Sequence, residues 1–245
     1  MRPLIGIPPC LDERGRLHPA REYHYADAAY ARAVSEAGGI PVYLPQQDDA
    51  AALADRIDGL LLPGGGDFAP QRAYPDGVAF DLVPERQLAF DRALLAAVLE
   101  RDRPVLGICY GMQLFALHCG GALHFDVASD VPGASEHRLR DPGARHAVRV
   151  EPATQLRSAL GAQEVAVNSR HHQAVADPGR ARVTARSADG IAEAVELPDA
   201  HFALGVQWHP ESMDAEHRKQ LFGAFVRACL REVKPAGDTS RGRGY

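Results

Sequence analysis

The chain has no apolar run long enough to span a bilayer, which excludes a transmembrane helix. It has no extended run of Lys or Arg; the short Arg241-Gly242-Arg243 segment is unpatterned. With a formal net charge of -5 it also lacks the basic surface that nucleic-acid binders use. No Cys-x-x-Cys pair occurs among Cys10, Cys109, Cys119 and Cys229, so a redox pair or a cysteine metal site has little support. The segment Met1-Arg2-Pro3-Leu4-Ile5-Gly6-Ile7 lacks the apolar core of a signal peptide and reads as a buried strand. A cytoplasmic location with reduced cysteines is the expectation. Internal repeats and Ser- or Gly-rich linkers are also missing.

What is present is the composition of an ordinary globular protein: 245 residues, 46% hydrophobic and 24% charged. Short apolar runs alternate with amphipathic stretches. Strands are expected at Leu4 to Ile7, Ile40 to Leu44, Ile57 to Leu62 and Val105 to Ile108. Helices are expected from Glu22 to Ala37, closed by Gly38-Gly39, from near Pro84, from about Gly111, and from Asp214 to Arg231. The second half holds more strands: Ala147 to Glu151, Glu164 to Val167, Arg182 to Ala185, Ile191 to Glu196 and Phe202 to Val206. Parallel βα units followed by strands in series predict an α/β fold with a mixed central sheet flanked by helices. One domain over 1–234 is expected, with a disordered tail over 235–245.

Gly107-Ile108-Cys109-Tyr110-Gly111 places a cysteine between two glycines at a strand-to-helix junction. This is the pattern of a nucleophile elbow with Cys in place of Ser. The helix N-terminus offers free N–H groups and a partial positive charge, which suit a reacting thiolate. The plain alternative is a small residue filling the end of a buried strand. Later, Gln207-Trp208-His209-Pro210-Glu211 follows another expected strand. A histidine there can take the thiol proton, and a carboxylate can orient its ring. His-x-Glu alone is common by chance; with the cysteine elbow it completes a nucleophile, base and orienter. Pro63-Gly64-Gly65-Gly66-Asp67 can present bare backbone N–H groups to a substrate carbonyl, with the Tyr110 N–H as a second donor. It lacks the Lys-Ser/Thr ending of a phosphate loop. His171 and His172, adjacent on an extended segment, point to opposite sides and do not share one ion easily.

These motifs, with Ala37-Gly38-Gly39-Ile40-Pro41, Asn168-Ser169-Arg170-His171-His172-Gln173 and Asp189-Gly190-Ile191-Ala192-Glu193-Ala194, resemble the class I glutamine amidotransferase-like superfamily, in its γ-glutamyl hydrolase branch. The resemblance runs from about Leu4 to about Arg231 and implies a flavodoxin-like fold. It implies a Cys109, His209 and Glu211 triad, with an oxyanion hole from the Gly64 and Tyr110 N–H groups. It assigns substrate contacts to Gly66, Gln113, Ser169, Arg170 and His171. It implies no metal or organic cofactor, and as partner a small-molecule γ-glutamyl amide such as γ-glutamyl-GABA, with neither nucleic acid nor membrane. A homodimer is compatible with it, as is a role in polyamine (putrescine) catabolism or in removing a γ-glutamyl protecting group.

The chain departs from the branch at Tyr110, where Arg often follows the nucleophile, at Arg170, where Tyr or Leu is usual, and at Arg86-Gln87 in place of Arg-Asp. These departures bear on the leaving group. A rival expectation is a glutaminase subunit that passes ammonia to a separate synthase. A non-catalytic binding relative is another, but it is expected to show a broken triad.

Overall fold

The computed structural model describes residues 1–230. The expected tail over 235–245 lies outside the described residues.

Leu4–Ile7 (β1), Ile40–Tyr43 (β4), Gly59–Leu62 (β5), Val105–Ile108 (β6) and Ala203–Val206 (β13) form the parallel half of one sheet, in the order β4-β1-β5-β6-β13. Ala192–Glu196 (β12), Arg182–Ser187 (β11), His146–Val150 (β8) and Glu164–Val167 (β9) continue it antiparallel. Ala174–Asp177 (β10) bridges β12 to Ala122–His124 (β7), and Cys10–Asp12 (β2) pairs with Tyr23–Tyr25 (β3) as a separate hairpin. The helices are Ala28–Glu36 (α1), Ala50–Arg56 (α2), Glu85–Glu100 (α3), Tyr110–His118 (α4), Val127–Asp130 (α5), Gln155–Leu160 (α6) and Ala215–Ala228 (α7). The expected mixed α/β sheet is the one found.

Strands β5, β6 and β13 are buried at every position, and this explains their uninterrupted apolar sequences. Two apolar clusters result, on the two faces of the sheet. One joins Ile5, Ile7, Val34, Leu61, Leu106, Leu204, Phe222 and Phe225; the other joins Leu60, Leu62, Leu94, Val98, Met112 and Phe115.

The first expected helix is corrected at its start. Glu22 to Ala26 is not helical: Tyr23-His24-Tyr25 is the strand β3, as its aromatic content favours. The helix begins after Asp27, whose carboxylate accepts from the Ala29 N–H at 2.8 Å. Its C-terminal stop at Gly38 stands, with φ of 94°. Helix α2 was not expected; Asp49 caps an Ala-rich turn there.

The sheet also sets where chemistry can occur. The segments after β5, β6 and β13 all leave the carboxyl edge of neighbouring parallel strands, where open α/β sheets place their sites. Helix α4 crosses close over these strands. A Cβ on Gly111 would lie 2.4 Å from the Leu62 carbonyl oxygen, and one on Gly107 2.7 Å from the Gly111 backbone. The glycines around Cys109 are therefore a packing requirement of the elbow.

Candidate active site

Cys109 sits between β6 and α4 with φ 52° and ψ −105°, a left-handed backbone that a side chain rarely adopts. Its N–H donates to the Val206 carbonyl at 2.8 Å and its carbonyl accepts from Gln113 at 3.1 Å, which fixes the strained turn to β13 and α4.

Beyond β13, Pro210–Ser212 forms a single turn of 3-10 helix that brings Glu211 back toward His209. His209 Nδ1 lies 2.7 Å from Glu211 Oε1, and Glu211 is buried. Burial alone would lower the His209 pKa; hydrogen bonds with Cys109 and Glu211 outweigh it and raise the pKa to about 10. Cys109 is thus brought beside a His209–Glu211 pair that lies 100 residues further along the chain. Asn168 holds His209 in place: its side chain accepts from the His209 N–H at 2.8 Å and donates to the His209 carbonyl at 2.9 Å. That clamp was not foreseen; an amide beside the Ser169 loop carries no sequence signal of it.

The glycine loop lies against His209. A Cβ on Gly64 would come within 2.7 Å of the His209 ring. The Gly64 N–H is already engaged, donating to the Tyr30 hydroxyl at 2.9 Å, and the same hydroxyl is 3.4 Å from His209 Nδ1. Gly66 packs its backbone onto the 81–83 segment, where a Cβ would meet the Asp81 carbonyl at 2.6 Å. Tyr110 heads α4, so its N–H belongs to the unpaired first turn.

The Tyr110 side chain turns away from the cleft. It is buried, stacks on Phe68 with ring centroids 5.0 Å apart, and donates to Asp91 Oδ2 at 3.0 Å. Gln87 donates to the same Asp91 oxygen at 3.3 Å. The departures at Tyr110 and Gln87 are therefore one buried network beneath the elbow. Burial pushes the Asp91 carboxyl up to about 7, against the lowering effect of the Tyr110 and Gln87 hydrogen bonds.

This has a consequence for stability. The folded chain keeps the Asp91 proton up to about pH 7, whereas an unfolded chain releases it near the ordinary value of 3.8. Between those values the folded state binds more protons, so stability falls as pH rises. Asp91→Asn keeps an acceptor for Tyr110 and removes the ionisation. Thermal unfolding from pH 4 to 8 should show wild type losing stability over this range relative to the variant.

The expected substrate contacts divide. Arg170 is exposed and lines, with Gly64, Gly65, Gly66 and His209, a cavity of about 310 Å³. It also lines a neighbouring cavity of about 160 Å³ with Cys109, Gln113 and Arg138. Gln113 borders that second cavity, but its amide nitrogen donates to the Gln173 carbonyl at 2.9 Å and to Gln207 Oε1 at 3.2 Å. Ser169 is buried and its hydroxyl donates to the His137 carbonyl at 2.6 Å, away from Cys109. The His171 imidazole is held inward, with Nδ1 3.0 Å from the Gln173 carbonyl. His172 lies between Asp67 at 3.1 Å and Asp126 at 3.2 Å, so the two adjacent rings do serve separate surroundings. Arg138, not foreseen, reaches the cleft because its backbone bridges to Arg170.

A cysteine elbow on a buried parallel strand, facing a His-Glu pair beyond the next strand, defines a class I glutamine amidotransferase-like domain. The Peptidase C26 family model matches residues 3–211, and the chain belongs to that family. It is 36% identical over 249 residues to the γ-glutamyl-γ-aminobutyrate hydrolase of Escherichia coli O157:H7, covering 94% of this chain and 95% of that one. It is 32% identical to a protein of Rickettsia prowazekii (strain Madrid E) named for its likeness to glutamine amidotransferases, over 93% of this chain and 98% of that one. In fold it is similar to the glutaminase domain of Trypanosoma brucei CTPS, solved with bound acivicin. The TM-score is 0.63 at 15% identity, over 92% of this chain and 93% of that one.

Proposed function

We propose that this amide-bond hydrolase cleaves γ-glutamyl amides of the γ-glutamyl-GABA type through a thioester on Cys109, releasing glutamate and the amine. The observation that carries the reading is strained Cys109 acting on His209, itself 2.7 Å from a buried Glu211, with Arg170 lining the cavities beside both Cys109 and His209. The similarity to γ-glutamyl-γ-aminobutyrate hydrolases supports the substrate class.

His209, which its raised pKa of about 10 keeps protonated at neutral pH, holds the proton it shares with Cys109, and sulfur attacks the γ-carbonyl carbon. The developing oxyanion accepts from the Tyr110 N–H and from the glycine loop. For Gly64 to serve, the oxyanion must replace the Tyr30 hydroxyl as acceptor. The Gly65 N–H has no hydrogen-bond partner among the described residues and requires no such exchange. The C–N bond breaks as His209 returns its proton to the leaving amine. Water, deprotonated by His209, then attacks the thioester, frees glutamate and restores the thiol. Gly66, Gln113 and the backbone of Ser169 to His171 would hold the glutamyl end, with no cofactor in these steps. The reaction is that of a single chain acting in the cytoplasm, with or without pairing into a homodimer.

Arg170 is placed to meet an acidic leaving group, a role closed to the buried Tyr110 side chain. Arg170→Ala should lower kcat/KM for γ-glutamyl-GABA by about 10-fold or more, and leave a neutral γ-glutamyl amine nearly unchanged. Equal losses on both substrates would remove Arg170 from leaving-group recognition. The assay also addresses the second reading, a glutaminase subunit, which the likeness to the Rickettsia protein favours. Purified chain that releases amine from γ-glutamyl-GABA far faster than ammonia from glutamine acts as a stand-alone hydrolase. Preference for glutamine, rising on addition of a synthase, would mark a subunit.

A further inference from the structure

Beside the Ser169–His171 segment lies a second cluster, of buried titratable side chains that take no proton-transfer role in the reaction. His137, His171 and Glu193 are 3%, 4% and 0% exposed, and the side chain of His146 is mostly covered. Three imidazole nitrogens converge on one carboxylate oxygen. His137 Nδ1 is 3.4 Å, His146 Nε2 3.6 Å and His171 Nε2 3.7 Å from Glu193 Oε1. All four atoms are buried, and none makes an aligned hydrogen bond. Four unsatisfied polar atoms at one buried point are costly unless something joins them.

We infer that His137, His146 and Glu193 hold a divalent transition-metal ion of the zinc type, with the His171 ring packed beside Glu193. The ligand atoms of His137, His146 and Glu193 all lie within 4.8 Å of one another. Around a tetrahedral ion with bonds of about 2.0–2.1 Å, adjacent ligand atoms sit roughly 3.3 Å apart. The His137 and His146 separations from Glu193 Oε1 are slightly wider than that, and with the ligand atoms all within 4.8 Å of one another, side-chain rotation closes the site. Imidazole with one carboxylate suits zinc and its neighbours rather than magnesium or calcium.

The outer contacts fit the same assignment. His137 turns its other nitrogen to Asp189 Oδ2 at 3.0 Å, and His171 turns its own to the Gln173 carbonyl at 3.0 Å. A carboxylate or carbonyl behind a ligating histidine fixes the tautomer that leaves the inner nitrogen free to bind. A cavity of about 570 Å³, lined by His137, Arg138 and His171, borders the cluster.

The ion would tie the His137 loop to two strands of the sheet. His146 lies on β8 and Glu193 on β12, while His137 comes from the loop that pairs with the Ser169–His171 segment. The His137 carbonyl accepts from both the Ser169 hydroxyl and the His171 N–H. Its role is thus to order the loop that carries Arg138 and Arg170.

The test uses the full chain carrying Cys109→Ala, so that the cleft thiol cannot compete. Titration with Co²⁺ alone should give one equivalent with the visible absorption of a four-coordinate nitrogen and oxygen site, displaced by Zn²⁺. Zn²⁺ should raise the thermal midpoint and a chelator should lower it. Asp189→Asn should weaken binding about 10–100-fold, and His146→Ala more than that, while His201→Ala leaves it unchanged. Absence of Co²⁺ and Zn²⁺ binding by the unaltered cluster overturns the inference, whatever the variants do. Binding that persists equally in His146→Ala and Glu193→Gln overturns it as well.

Discussion

Cys109→Ala is expected to lower turnover of γ-glutamyl amides by about 10⁴-fold or more, with the fold retained. The estimate follows from hydrolases whose nucleophile and base act as a unit, where removing the nucleophile costs nearly as much as removing the whole set. The site gives a structural reason for so large an effect. Cys10 also borders the cleft, with its sulfur 3.7 Å from the Gly64 carbonyl. Burial, and to a lesser degree the Asp91 charge, push its thiol up to about 11, so it stays protonated and unreactive at neutral pH. It does not replace Cys109. Steady-state amine release, with circular dichroism to confirm the fold, checks this. A variant retaining a tenth of the activity would place the nucleophile elsewhere.

Glu211→Gln carries the second large effect. Replacing the orienting acid of a triad while keeping its shape lowers kcat by about 10⁴-fold, because the histidine loses its correct tautomer. Here the effect should also appear in the pH profile. Glu211 and Cys109 together hold the His209 pKa at about 10 against burial. His209 must be protonated to pass a proton to the leaving amine, so wild-type activity should fall as pH rises through about 10. With one support removed, the residual activity of Glu211→Gln should fall at lower pH. The same shift enters stability. A folded pKa above the unfolded 6.5 stabilises the chain fully below that value, and the contribution is lost as pH rises through about 10. A pH–rate profile of unchanged shape in the variant would show that Glu211 does not govern the base.

The parallel core was legible because its strands are buried on both faces and read as apolar runs; Leu4 to Ile7 and Val105 to Ile108 match residue for residue. The hairpin of β2 and β3 was not, because Tyr23-His24-Tyr25 adjoins an Ala-rich stretch whose spacing already suits a helix. Short edge elements such as β7 and β10 depend on long-range pairing that leaves little local pattern. In the site, the sequence brought Cys109, His209 and Glu211 together on chemistry and order alone. It could not show which groups were already occupied. The Gly64 N–H held by Tyr30, the Gln113 amide held by Gln173 and Gln207, and the Ser169 hydroxyl held by His137 are tertiary contacts. Nor could it show that His137, His146, His171 and Glu193 meet, since they lie on four separate segments.

The central claim is that the γ-glutamyl group passes through Cys109. The most direct measurement is mass spectrometry of the purified chain quenched during turnover of γ-glutamyl-GABA, followed by peptide mapping. A γ-glutamyl adduct confined to the Cys109 peptide, formed and lost at the rate of amine release and absent in Cys109→Ala, is the expected result. Steady amine release with no adduct on Cys109, or with the adduct on Cys10, would contradict the account.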